Sequence, residues 1–468
     1  MANVSLVIKN GRVVTPTGML YGGVAVDEEK IVAVGAGASL PAGKREIDAN
    51  GCYVIPGLID PHVHLGLSYR PGTTLEKWRE DFETESVGAI HGGVTTCLSH
   101  WRYPGSYQEK IDQLIAWGNE KSRIDFNFHP VIGTETHLAD MPALCAKGIT
   151  SFKFYYTAYR EVPGFPAANE ATLFRAFSFL GQQGYPAVGL VHAEDIDIAL
   201  TLQEQVKATG RKDLEAWTLS RPHLVEIIRM FSAIEIAKVT RATLYFAHVT
   251  TARGADMVKQ ARAEGWPVWA ETQPCFLTHT MHDEETVGSW GKINPALKDE
   301  PDRERLWRGL KDGSVTNIGT DHLNWFKSDK EVHGQKHQAV WENLAGFPNG
   351  MESMLPVLMT AGVHQNRITI EDLVRVTSTN TARVFGLYPR KGILAPGSDA
   401  DIVLVDPDKT AGVDENFYHG QVRDWSLHWG WMMRGLAAMT IVRGRVMMEK
   451  GETVGPAGHG HFVPCRAN

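Results

Sequence analysis

The sequence predicts an α/β protein: a parallel (β/α)8 TIM barrel with a small β domain formed by both termini. Three observations carry the prediction. Between residues 56 and 390, short apolar runs alternate with helically patterned stretches. Strand-and-turn segments of similar texture occupy both ends of the chain. No Gly-x-Gly-x-x-Gly follows the first strand, as a doubly wound nucleotide-binding sheet would require.

Taken in order, Ser5–Lys9, Asn10-Gly11 and Arg12–Val14 read as strand, Asn-Gly turn and strand. Gly23–Asp27 and Lys30–Gly35 repeat the pattern. Eight buried-strand candidates follow: Val54–Ile59, Thr95–Leu98, Phe126–Val131, Ser151–Tyr155, Ala187–Val191, Thr243–Ala247, Val268–Thr272 and Asn317–Gly319. Helical patterning follows many of them, as in Glu170–Gln182 and Arg221–Thr240. Asp401–Asp406 reads as a strand and Met439–Met447 as a hairpin. The expected division is a β domain from 1–55 and 391–452, a barrel over 56–390, and a tail over 453–468. That tail, rich in Gly and His, reads as poorly ordered or as a clasp onto a neighbouring subunit.

The chain has 468 residues, 43% hydrophobic and 22% charged, as an ordinary globular protein does. Its formal net charge of −7 is no footprint for nucleic-acid binding. No run of 18 apolar residues predicts a membrane span, and no secretory signal is visible. The five cysteines (52, 97, 145, 275 and 465) form no Cys-x-x-Cys pair. A reducing, cytoplasmic location is therefore expected, and any metal would be held by histidine and carboxylate.

Nineteen histidines make up about 4% of the chain. Two His-x-His pairs occur, and chance alone yields about one in so histidine-rich a sequence. Context separates them. His62 and His64 end an apolar strand, so alternation points both imidazoles the same way at the end where barrel chemistry sits. His459 and His461 lie among glycines near the terminus and read as solvated. Lys153, His192, His248 and Asp321 each stand at the end of another predicted strand. Singly, each has a bland reading: a core histidine, a paired lysine, a helix-capping aspartate. Jointly they form a histidine-and-carboxylate set suited to zinc or a similar divalent ion. A lysine facing a barrel mouth is costly unless its charge is removed or paired.

Gly57–His64, Ser151–Lys153, Val191–Glu194, Ala247–Val249 and Gly319–His322, in that order, resemble the amidohydrolase superfamily. Within it the chain looks most like the cyclic amidohydrolases of the hydantoinase/dihydropyrimidinase group. Gly92–Thr96, Glu271–Pro274, Pro348–Gly350, Val384–Gly392 and Gly397–Val403 extend the likeness over nearly the whole chain. The resemblance implies a barrel with a binuclear metal centre, of the kind usually filled by Zn2+, and a β-sandwich-like domain from both termini. It places His62, His64 and Asp321 on one metal and His192 and His248 on the other. Lys153, carboxylated by CO2, would bridge the two as a carbamate.

The implied reaction is hydrolysis of a cyclic amide or imide. The metals activate a bridging hydroxide, and Asp321 relays its proton to the leaving ring nitrogen. A tyrosine hydroxyl after the bridging lysine stabilises the oxyanion. Tyr159 fits if one residue is inserted relative to the family spacing, and Tyr156 is the alternative. Main-chain groups at Asn294, before Pro295, and at Asn349 match the imide-recognition positions. Asn294 stands where the family pattern has Ser, and the turn after Gly350 is shortened, so the pocket departs from the pattern. Tyr69 and Arg70, in the loop 65–74, read as entrance residues. Asp60 and His322 read as supports to the ligands or as turn and surface residues, and Trp425, Trp429 and Trp431 as packing. Allantoinase or dihydroorotase chemistry is the nearest rival, with Arg70 available for a substrate carboxylate. A non-catalytic scaffold is a further alternative. Family habit implies a homo-oligomer, a tetramer or dimer, with the late-chain segment and tail reaching a neighbour, and no nucleic-acid or membrane partner.

Overall fold

The computed structural model describes residues 3–66, 75–156, 167–183, 186–331 and 340–465. Seventeen strands divide into a terminal sheet and a barrel. The sheet takes β1 (Val4–Thr15), β2 (Gly18–Asp27), β3 (Lys30–Gly35), β4 (Gly43–Asp48) and β5 (Tyr53–Pro56) from the N-terminal side. The barrel is β6 (Leu58–Val63), β7 (Val94–Trp101), β8 (Asp125–Pro130), β9 (Ser151–Tyr155), β10 (Val188–His192), β11 (Thr243–Phe246), β12 (Val268–Thr272) and β13 (Asn317–Ile318). β14 (Ile402–Gly412), β15 (Met432–Val442), β16 (Arg445–Glu449) and β17 (Glu452–Thr453) return to the first sheet.

All eight barrel strands are parallel. A Val131–Lys153 bridge joins β8 to β9, and a Val63–His322 bridge closes the ring from β6 to the segment after β13. Several barrel helices start where an Asn, Asp or Thr side chain accepts an amide of the first turn. Asn169 caps Glu170–Leu180, Asp195 caps Ile196–Ala208 and Thr251 caps Ala252–Ala263. The expected helix over 221–240 is observed as His223–Thr240.

The terminal sheet runs in the order β17-β16-β15-β14-β5-β1-β2-β3, with β4 beside β1. Register shifts interrupt several of its ladders, and each such bulge bends a sheet. It has its own core, in which Ile8, Val24, Val26 and Val54 from one end meet Ile402, Leu404 and Ile441 from the other.

Three expectations are corrected. Asn10-Gly11 does not turn the chain. It forms a bulge within the continuous strand β1, with Asn10 at φ 59°, and β2 pairs with β1 on both sides of it. The expected strand Val54–Ile59 is two strands. β5 belongs to the terminal sheet, and after Gly57 donates its amide to the Asp401 carbonyl, β6 begins in the barrel. Glycine is required there because a Cβ would overlap the Thr95 hydroxyl. The tail is not loose as far as Cys465. It lies along β8, with Phe126 N bonding His461 O and Val463 N bonding Phe126 O, and Val463 and Cys465 are buried. His459 is half-buried and bonds the Val442 carbonyl, whereas His461 is exposed.

Candidate metal centre and active site

Strand alternation brings one polar side chain to the mouth from nearly every barrel strand. His62 ends β6 with His64 just beyond, Lys153 lies on β9, and His192 ends β10. His248 follows β11 and Asp321 follows β13, both with positive φ, 40° and 53°. Non-glycine residues held in that region mark places where the surroundings over-determine the backbone.

Asp321 Oδ1 lies 3.1 Å from His62 Nε2 and 2.8 Å from His64 Nε2. His192 Nδ1 is 2.8 Å from His248 Nε2. His62, His248 and Asp321 each offer a ligand atom within 4.8 Å of the others. The six predicted ligands therefore converge, except that Lys153 Nζ makes no hydrogen bond among the described residues. Its side chain is fully buried, and burial lowers its pKa to about 8 against the pull of Asp321 and Glu271. Burial also lowers His192, and brings His64 down to about 4 and His248 well below the imidazole range. Three neutral imidazoles thus present lone pairs, the form a metal requires. Burial alone would raise Asp321, but His62 and His64 hold it well below the ordinary carboxylate range. A buried orphan amine among neutral imidazoles and one ionised carboxylate is a donor set that fits divalent metal ions.

Supporting contacts are equally specific. Glu271, one residue before the end of β12, pairs with His62 Nδ1, accepts the His248 amide at 3.2 Å and accepts the Tyr245 hydroxyl at 2.8 Å. Its pairing leaves His62 Nε2 as the nitrogen turned to the centre. Glu194 bonds His192 Nε2 at 2.7 Å, and Gln273 donates to Asp321 Oδ2 at 3.1 Å. Asp60 bonds a backbone amide and a hydroxyl rather than an imidazole, accepting from His62 N at 3.1 Å and from the Thr320 hydroxyl at 2.5 Å. His322 is buried beside Glu85, with Nε2 2.9 Å from the carboxylate. The stretch Glu271–Pro274 is legible in the sequence, but the role of Glu271 is not. Nor is that of His100, one residue before the end of β7, with its ring centroid 4.1 Å from that of His62.

Tyr159, Tyr69 and Arg70 lie outside the described residues. Tyr156 points away from the mouth: its hydroxyl pairs with Ser232 at 2.8 Å, on the helix His223–Thr240. Tyr155 shares the inner face with Lys153, its ring centroid 5.6 Å from that of His192. Asn294 precedes a cis proline, and Asn349 is buried at φ 65° immediately before the helix Gly350–Val357. The loops bearing them are tied together by the buried Lys330 ammonium, which donates to the carbonyls of Lys292, Leu344 and Gly346. Trp425 is fully buried and bonds the Trp325 carbonyl, while Trp429 is exposed.

Residues 193–444 match the amidohydrolase family. An L-hydantoinase of Paenarthrobacter aurescens is 33% identical over 98% of both chains. A D-hydantoinase of Geobacillus stearothermophilus is 32% identical, covering 97% of this chain and 95% of its own. Among solved structures, the L-hydantoinase (dihydropyrimidinase) from Arthrobacter aurescens superposes with a TM-score of 0.90 at 31% identity, over 98% of this chain and 100% of that one. The dihydropyrimidinase from Brevibacillus agri gives 0.88 at 30%, over 98% of each. These likenesses run over nearly the full length, and the chain belongs to the amidohydrolase family, in its hydantoinase/dihydropyrimidinase group.

Proposed function

We propose that the protein is a metal-dependent hydrolase that opens the amide bond of a cyclic amide or imide, a hydantoin or a dihydropyrimidine. The observation that carries the reading is Lys153: a fully buried amine with no hydrogen-bond partner among the described residues, surrounded by the predicted ligands. Carboxylation by CO2 turns that amine into an anionic ligand. His62, His64 and Asp321 would hold one ion and His192 and His248 the other, with the Lys153 carbamate between them. Zn2+ suits this mixture of imidazole and carboxylate. Divalent ions bound there supply Lewis acidity, activating water and polarising the scissile carbonyl.

The protein's own groups do the rest. Glu271 fixes the His62 ring so that Nε2 faces the centre. Asp321, kept ionised by His62 and His64, takes the proton from the attacking water and delivers it to the leaving ring nitrogen. The Tyr159 hydroxyl donates to the developing oxyanion. Main-chain groups of Asn294 and Asn349, on loops joined by Lys330, orient the imide.

No helix of the described residues is long and apolar enough to cross a membrane. A cytoplasmic location is supported by five cysteines that are all free. A homo-oligomer, dimer or tetramer, is supported by exposed apolar residues Phe174, Ile228, Phe231 and Val239, on two neighbouring barrel helices.

The test is side-by-side turnover of hydantoin, dihydrouracil, allantoin and dihydroorotate by zinc-loaded enzyme. Hydantoin or dihydrouracil should react fastest. Reaction with allantoin or dihydroorotate alone overturns the substrate assignment. Less than one divalent ion per chain after metal-supplemented expression overturns catalysis altogether.

A further inference from the structure

His100 stands on β7, the strand beside β6, with Ser99 and Val63 in register. Its ring meets both metal-facing imidazoles of the neighbouring strand. The centroids lie 4.1 Å from His62 and, edge to face, 4.8 Å from His64. His62, His64 and His100 each place a ligand nitrogen within 4.8 Å of the other two. Two donors at about 2.1 Å from one ion stand roughly 3–4 Å apart, so a small ring rotation closes the difference.

His100 is 3% exposed, and neither ring nitrogen has a hydrogen-bond partner among the described residues. A buried neutral imidazole carries one N–H and one lone pair, and each left unmatched costs about 1–3 kcal/mol. The same barrel contains a control one strand further on. His129, also fully buried, bonds Ser151 Oγ at 2.6 Å through Nδ1 and the Pro61 carbonyl at 3.1 Å through Nε2. That is how the core satisfies His129, although His137, buried on the helix Glu135–Ala146, also leaves both ring nitrogens unmatched among the described residues. What sets His100 apart is that its unmatched nitrogens lie where the cations are expected.

We propose that His100 is a further ligand of the ion held by His62 and His64, making a three-imidazole position completed by Asp321. The proposal rests on the metal-centre reading above. A third imidazole biases that position towards zinc, cobalt or nickel and away from magnesium or manganese, which prefer oxygen donors.

The test uses the full-length holoenzyme and two readouts independent of turnover. In Co2+-loaded wild-type protein, hyperfine-shifted exchangeable imidazole N–H resonances should number five, for His62, His64, His100, His192 and His248; four overturn the proposal. In chelator competition, H100F should release one ion per chain with affinity at least tenfold weaker than wild type, while the second ion is unchanged. H100F with wild-type affinity for both ions overturns the proposal. Should H100F fail to fold by circular dichroism, the resonance count in wild-type protein decides alone. Wild-type protein that binds no metal overturns the whole centre, whereas a wild-type centre that ignores H100F overturns only the place of His100.

Discussion

A lysine ammonium taken out of water must find anions, lose its proton or be modified. Lys391 shows the first solution in this protein, bonded to three aspartates, whereas Lys330 meets three neutral carbonyls and burial holds its pKa well below the ordinary lysine range. Lys153 has neither, which makes it the residue from which the chemistry is read. Lys153→Ala should reduce bound metal from about two ions per chain to well below one and cut kcat/KM by at least about 10³-fold, with the fold intact by circular dichroism. Retained metal and activity would remove Lys153 from the centre. The residue types were legible in sequence because a polar side chain closing an apolar strand is a local pattern. His100 and Glu271 were not singled out, and each lies one residue before the end of its strand. Their significance depends on which imidazole lies across the neighbouring strand, and no local pattern contains that.

At the scale of elements, helical patterning located the start of the helix at Glu170, where Asn169 supplies a local cap, and missed by two residues the start at His223, which has no side-chain cap. The division between β5 and β6 was not legible. An unbroken apolar run from Val54 to Ile59 has no period, and only the pairing of β5 with β1 and β14 shows that it changes sheets. Likewise Asn10-Gly11 supplies the positive φ of a hairpin turn, but β2 pairs on both sides and converts it into a bulge. The end of β13 carries a tighter requirement. A Cβ on Gly319 would overlap Glu271 Oε2 and lie 2.9 Å from His62 Cβ. Gly319→Ala should therefore push Glu271 off His62, weaken metal binding by about 10–100-fold and lower stability by roughly 1–3 kcal/mol. Chelator competition and thermal melting check both effects, and wild-type values in the two would show that this contact is dispensable.

The whole molecule is joined beneath the barrel by a buried charge network. Lys391 Nζ lies 2.7 Å from Asp125 at the start of β8, 3.1 Å from Asp399 and 2.5 Å from Asp401 before β14. Arg443, in the turn between β15 and β16, reaches the same Asp125 at 3.2 Å, and the tail adds the His461 amide at 2.9 Å. Barrel, terminal sheet and tail thus share one set of carboxylates. Burial would lower Lys391, but the three aspartates outweigh it and raise its pKa. A raised lysine contributes its stability in full below the unfolded value near 10.5, and loses it only in strong alkali. Lys391→Met leaves three buried carboxylates short of a cation and should cost about 3–5 kcal/mol at neutral pH. Urea unfolding measures this, and a loss below about 1 kcal/mol would show that Arg443 on Asp125 and Lys30 on Asp399 suffice to hold the seam.

Short-range order in the sequence was enough for the barrel class, the terminal β domain and the six candidate ligands that converge at the barrel mouth. Each rests on short-range order: alternation along a strand, the residue that ends it, and the turn that follows. Tertiary structure alone decided that Glu271 braces His62, that His100 stands unmatched beside the centre, that one apolar run serves two sheets and that the tail lies along β8. Those facts belong to pairs of residues tens to hundreds of positions apart, and such pairs become neighbours only when the barrel closes and the two ends of the chain share a sheet.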